Sequence, residues 1–410
     1  MMGCIVDDMT GYGTQRRTGQ EQSGCQLLAR VRGRLEVTAP PVTGVGWPTS
    51  LPAGDHAPTR ARSARMSHTD PAATIRRVVV HPEGVQVEVV PEPVPSAEEA
   101  LIAMTLTGVC GSDTHAAHGR HPFMPLPYLP GHEVVGIVTS VGTDVSAVEP
   151  GDRVTIEPTL PCDHCKTCRQ GDSNICENLA VFGCTFRQGG MADRFTIDAG
   201  RLHVLPDSLD DTTAALIEPL ATPVHAMRLA GGVKDRSIVI IGAGTIGLLT
   251  LAAARHLGAK RIVVTDLLSS KGERALALGA DATFVADSPT LVDDVRDALG
   301  EGADVVFDCV SVQATVDQGF AMAGKGSTVV IIGIPAEDVR IPLPVLQDHQ
   351  MRIQGAATYL PEDYETSIAI LESGAIKSDD IVTALLPLER AAEAFALSGS
   401  PEHVKVLMRP

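Results

Sequence analysis

Apolar positions along this chain change their rhythm twice. Through residues 1–65 they follow no sustained period: Gly, Pro, Ser and Thr recur, with eight Arg, no Lys and five acids. Such a composition cannot bury enough surface to offset the entropy of ordering. A disordered extension is expected there, with Met66 as the natural beginning and the sole tryptophan, Trp47, inside the extension. From residue 75, short runs such as Ile75–Val80 and Val85–Val90 are divided by Pro and Gly, the pattern of strands joined by turns, and an all-β half is expected. Near Ala214 the rhythm becomes apolar strand, helical stretch, apolar strand, the mark of βαβ units and a parallel sheet. A domain boundary is expected close to residue 225, and after Tyr359 helix and strand mix again.

Within the second half, Ser237–Ile241 reads as a buried strand, Gly242-Ala-Gly-Thr-Ile-Gly247 as the turn after it, and Leu248–Leu257 as the helix that the turn opens. Each glycine then has a task. Gly242 permits the tight turn, Gly244 lets backbone approach a pyrophosphate, and Gly247 lets helix and strand pack closely, with Thr245 and Ile246 between them at the helix N-terminus. A second strand, Arg261–Asp266, ends in an acid suited to the adenosine ribose hydroxyls, and Leu267 and Leu268 offer no cation for a 2′-phosphate. NAD is therefore expected rather than NADP. Further on, Val339–Leu346 reads as an apolar edge strand that would pair with a second copy, so a homodimer or homotetramer is expected.

Composition narrows the field. Hydrophobic residues make up 44% of the 410 and aromatics 3%, so the core must be aliphatic, as in α/β proteins whose strands are buried on both faces. No apolar run reaches the roughly 18 residues of a membrane span, and no secretory segment opens the chain, so no membrane partner and a cytoplasmic location are expected. The formal net charge of −17 repels polyphosphate backbones and argues against a nucleic-acid partner.

Candidate metal chemistry comes next. Cys162, Cys165, Cys168 and Cys176 follow C-x2-C-x2-C-x7-C, a spacing that lets four thiolates close a tetrahedron around one structural zinc. An iron–sulfur reading would need a shorter last interval and a Cys-Pro, where Glu177 stands instead, and disulfides would need an oxidising compartment. Upstream stand Cys110, in Cys110-Gly-Ser-Asp-Thr-His115, and His132, in Gly131-His-Glu133. A catalytic zinc keeps three protein ligands and an open position. Glu133 and Glu218 compete for the third place.

These motifs, with Ile217-Glu-Pro-Leu220 and the glycine turn, resemble in order the zinc-dependent medium-chain dehydrogenase/reductase family, the alcohol and polyol dehydrogenases. The resemblance runs from about residue 75 to 410. It implies an α/β fold: a GroES-like β domain from residues 75–224, completed by 359–410, and a doubly wound Rossmann domain, 225–358. It also implies hydride transfer between a secondary alcohol, diol or polyol and NAD, with two zincs per chain and a small-molecule alcohol as partner.

By that resemblance, Cys110 and His132 bind the catalytic zinc, and Glu133 is a ligand that exchanges with water. Glu218 stands where simple alcohol dehydrogenases have a cysteine ligand, and either binds zinc or holds its water, as in the sorbitol and butanediol branch. Asp113 resembles the acid that orients His132. Ser112 and His115 match a proton relay from hydroxyl to ribose to imidazole to solvent, and Lys405 the cation on the pyrophosphate. Ala116 and Thr358 stand where sorbitol-type enzymes carry an aromatic residue and an arginine, which makes sorbitol itself a poor expectation. The alternatives are a threonine-dehydrogenase-like or simple alcohol-dehydrogenase activity. A non-enzymatic zinc protein would be expected to have lost the relay.

Overall fold

The computed structural model describes residues 73–410; the expected extension, Met66 and Trp47 lie outside the described residues. Two sheets organise the chain. A six-stranded parallel sheet has the order Ala282–Val285, Arg261–Asp266, Ser237–Ile241, Ala303–Asp308, Ala323–Ile331, Arg352–Gly355. Its strand order reverses beside Ser237–Ile241, and that crevice is where doubly wound sheets bind ligands. The strand is buried at every position, as the unbroken run Ser-Ile-Val-Ile-Ile requires of a strand covered by helices on both faces.

The other large sheet is mostly antiparallel and has seven strands. Its longest, Glu99–Val109, pairs with Val134–Val141, Arg194–Asp198 and Lys405–Arg409. The pairings Thr107 with Val134 and Val406 with Val109 bring three chain segments to one end: the residue after Val109, the two before Val134, and the first of the last strand. Those residues are Cys110, His132 with Glu133, and Lys405. The α/β fold, with a GroES-like β half and a Rossmann sheet, is therefore the one expected, and the sheet positions the site.

Helix Ile217–Leu229 runs without a break through the boundary expected near 225. One apolar core joins Leu106 and Val135 of the β half to Ile217 and Leu220 of this helix and to Leu248, Val264 and Phe307 around the parallel sheet. Val339–Leu346 does not form the expected strand. Pro342 and Pro344 have no N–H for a ladder, and Pro344 sits in the first turn of helix Leu343–Asp348 instead. The edge of the sheet is Arg352–Gly355. Among the described residues, no helix is long and apolar enough to cross a membrane.

Candidate active site

The four-cysteine lobe is compact: the sulfur atoms of Cys162, Cys165, Cys168 and Cys176 lie within 4.8 Å of one another. Backbone amides of Cys162 and Asn178 donate to Cys176 Sγ at 3.3 Å. The Thr167 hydroxyl and the amides of Cys168 and Glu177 pull the Cys165 thiol down to about 5. Desolvation and the facing Cys165 and Cys176 push Cys168 up to about 12. Four thiols this close cannot all ionise unaided, and a divalent cation among them removes the conflict, so zinc fits this set.

At the converging strand ends, donor atoms of Cys110, His132 and Glu133 also lie within 4.8 Å of one another. Cys110 follows strand Glu99–Val109 and caps helix Gly111–Ala117. Glu133 is fully buried, and Gly108 makes room for it: a Cβ there would lie 1.8 Å from Glu133 Oε2. Thiolate, imidazole and carboxylate are ordinary zinc donors, and this trio leaves a position open. Glu218 stands outside the trio, buried at the start of its helix. Burial pushes its carboxyl up to about 7, against the pull of His132, with Glu133 adding to the rise. The Tyr359 hydroxyl donates to Glu218 Oε1.

Lys405 does not face the pyrophosphate site. Its ammonium donates to Glu133 Oε1 at 2.6 Å and Oε2 at 2.7 Å and to the Val109 carbonyl at 3.3 Å. All three protons are thereby engaged. Val404, just before the strand, lines the cavity beside the glycine turn, while Lys405, the strand's first residue, turns to the metal-type cluster.

Asp113 is also placed differently from expectation. Its carboxylate accepts from the Cys110 amide at 3.1 Å and from the Tyr128 hydroxyl at 2.9 Å, and His132 reaches it through charge alone. The partner of His132 Nδ1 is Cys184 Sγ, at 3.3 Å. Neither Tyr128 nor Cys184 carries a motif in the sequence. Ser112 is half-buried and His115 exposed, both on helix Gly111–Ala117, where a spacing of three puts them on one face.

Beside this cluster, a cavity of about 410 Å³ is lined by Gly242, Gly244, Thr245, Ile246, Gly247 and Asp266, and also by Val109 and Gly111. Gly242 has φ +94°, and a Cβ at Gly247 would lie 1.7 Å from the Gly242 carbonyl oxygen, so the turn tolerates no side chain at either place. A Cβ at Gly244 would meet nothing within 4 Å, which leaves the cradle a pyrophosphate needs. Asp266 accepts from the Ala243 amide at 2.8 Å and the Leu268 amide at 3.0 Å, which fixes its carboxylate at the mouth of the turn with lone pairs to spare. Lys271, five residues later, also lines the cavity. No motif marks this cation, which lies past Leu267 and Leu268 in helix Ser269–Ala277.

A metal-type cluster beside a cavity built on a glycine turn is the arrangement of a metal-dependent dehydrogenase. Residues 96–207 match the alcohol dehydrogenase GroES-like domain and residues 245–373 the zinc-binding dehydrogenase domain. The sorbitol dehydrogenase of Ovis aries is 33% identical over 83% of this chain and 97% of that protein. The structure of 2R,3R-butanediol dehydrogenase from Bacillus subtilis superposes with a TM-score of 0.76 at 26% identity, over 82% of this chain and 99% of that one. That of a zinc-binding dehydrogenase from Sinorhizobium meliloti 1021, bound to NADP, gives 0.76 at 30% identity, over 82% and 100%. The chain belongs to the zinc-binding dehydrogenase family, and it is an oxidoreductase.

Proposed function

We infer that the protein oxidises a secondary alcohol, vicinal diol or polyol with NAD and carries two zincs per chain. The observation that supports this most is the junction at Cys110: the residues on either side of it, Val109 and Gly111, line the same cavity as the glycine turn. Cys110, His132 and Glu133 would hold the catalytic zinc, whose Lewis acidity lowers the pKa of a hydroxyl placed in the open position. Bound in the cavity, NAD supplies the hydride acceptor. Ser112 takes the hydroxyl proton, and His115 delivers it to solvent.

Charge favours this arrangement. With zinc at +2, the Cys110 thiolate and the Glu133 and Glu218 carboxylates would leave the site negative, a poor setting for a Lewis acid. Lys405 on Glu133 supplies the missing positive charge. Glu218 is then free to hold the water or alcohol while Tyr359 anchors its other side. Glu218→Gln should cut turnover about 10–100-fold, the range for groups that support a metal site, with NAD affinity nearly unchanged. Full activity in that variant would remove Glu218 from the chemistry.

NAD rather than NADP rests on Asp266, whose fixed carboxylate suits ribose hydroxyls and repels a 2′-phosphate. Lys271 beside it works in the opposite sense. A reduction assay over diols, polyols, simple alcohols and hydroxy amino acids, run in parallel with NAD and NADP, tests both proposals. Faster turnover with NAD on a diol or polyol is expected, whereas preference for NADP, or for threonine or ethanol, contradicts the reading. The exposed Ile353 on the edge strand Arg352–Gly355 supports a homodimer or homotetramer, which light scattering showing a monomer would exclude.

A further inference from the structure

Asn174 stands between Cys168 and Cys176 in the four-cysteine lobe, yet its contacts leave the lobe. It is 5% exposed, and both protons of its side-chain amide are used. One goes to His225 Nε2 at 3.2 Å and the other to the Ala357 carbonyl at 2.8 Å. Its main-chain carbonyl accepts from the Thr358 hydroxyl at 3.1 Å.

The two segments it grips are the two supports of Glu218. His225 is on the same helix, seven residues on, which is two turns along the same face. Beyond it, His225 Nδ1 meets Asp363 Oδ2 at 2.8 Å, and the same carboxylate oxygen accepts from the Leu360 amide at 2.8 Å. Ala357 and Thr358 immediately precede Tyr359, which donates to Glu218. Thr358 has φ +49°, a left-handed conformation that a β-branched residue keeps only when its surroundings impose it. The bonds from Asn174 to Ala357 and Thr358 brace that turn, and Tyr359 follows it with its hydroxyl on Glu218.

We propose that Asn174 is a positioning residue through which the four-cysteine lobe sets the geometry of Glu218 at the second metal cluster. This rests on the reading of Glu218 given above. The lobe then has a duty beyond closing its own metal site: it fixes one wall of the other.

The test is a double-mutant cycle on the zinc-replete enzyme, with Asn174→Ala and Tyr359→Phe singly and together, Glu218→Gln alongside, and metal content measured throughout. Asn174→Ala is expected to lower kcat about tenfold, at the lower end of the supporting-group range. It should keep both zincs and alter the KM for NAD by less than about twofold. Added to Tyr359→Phe it should cost little more, because the two changes break one chain of contacts. The visible spectrum of cobalt(II) placed at the exchangeable site should also shift in Asn174→Ala. Equal fold losses in both backgrounds, an unchanged cobalt spectrum, or loss of the four-cysteine zinc would overturn the proposal. Thr358→Ala removes only the hydroxyl bond and gives the same readouts if Asn174→Ala fails to fold. Full activity in Glu218→Gln would instead defeat the underlying reading of Glu218, whatever Asn174 does.

Discussion

The two metal-type clusters share one half of the molecule and are built in opposite ways. The four-cysteine set comes from a single stretch, residues 162–176, turned back on itself where Asp163 and Gly171 take left-handed conformations. The other set is gathered from Cys110, His132 and Glu133, with Glu218 and Lys405 around it, and is buried except at Cys110. A ligand set that is local in sequence can close by itself. One assembled by a sheet can be left open on one side and surrounded with chosen charge, which is what chemistry on a bound hydroxyl needs.

If that difference in construction is a difference in duty, single substitutions should separate stability from turnover. The free energy of binding a structural zinc is folding free energy, about 10 kcal/mol or more in small zinc modules. Cys176→Ser should therefore lower the melting temperature more than any other single change considered. Cys110→Ser should reduce turnover by more than the ~10–100-fold given by supporting groups and leave melting nearly unchanged. Thermal melts and steady-state rates on the two variants decide the matter, and equal effects on both quantities would dissolve the comparison.

The next largest effect concerns the charge buried only at the second cluster. Lys405 and Glu133 are 2% and 0% exposed, and removing one partner strands the other. Lys405→Met should cost about 3–5 kcal/mol in denaturant unfolding, with part of it recovered in Lys405→Met combined with Glu133→Gln. No recovery in the double variant would mean that the lysine stabilises by packing alone.

A smaller effect lies in the pH profile. Desolvation first, then the neighbouring Arg120 and His118, hold the His115 imidazole below the ordinary histidine range. The neutral ring, which accepts the proton, thus persists to more acidic pH, and alcohol oxidation should fall only as pH drops through that lowered value. Arg120→Ala removes a positive neighbour, raises the His115 pKa and should move the acid limb toward neutrality. A limb that stays in place would take His115 out of the relay.

The same contrast accounts for what the sequence disclosed. The four cysteines, Ser237–Ile241, the glycine turn and Arg261–Asp266 were legible because each is set by neighbours a few residues away. The Lys405–Glu133 pair spans 272 positions, and no local pattern foretold that the last strand would begin with its lysine on the metal cluster. Cys184 on His132 and Tyr128 on Asp113 are tertiary contacts of the same kind. Thr358 read as a missing arginine and is instead the hinge of a clamp. In Val339–Leu346 apolar character outweighed two prolines that a ladder would not accept.

If one cluster closes around a structural zinc while the other holds an exchangeable, catalytic one, the difference shows most directly when zinc content, activity and melting temperature are followed together while the enzyme stands in a mild chelator. Starting from two zincs per chain, activity should fall in step with loss of the first, and the melting temperature should hold until the second departs. A single zinc at the outset, or activity that survives loss of the first, would contradict the account.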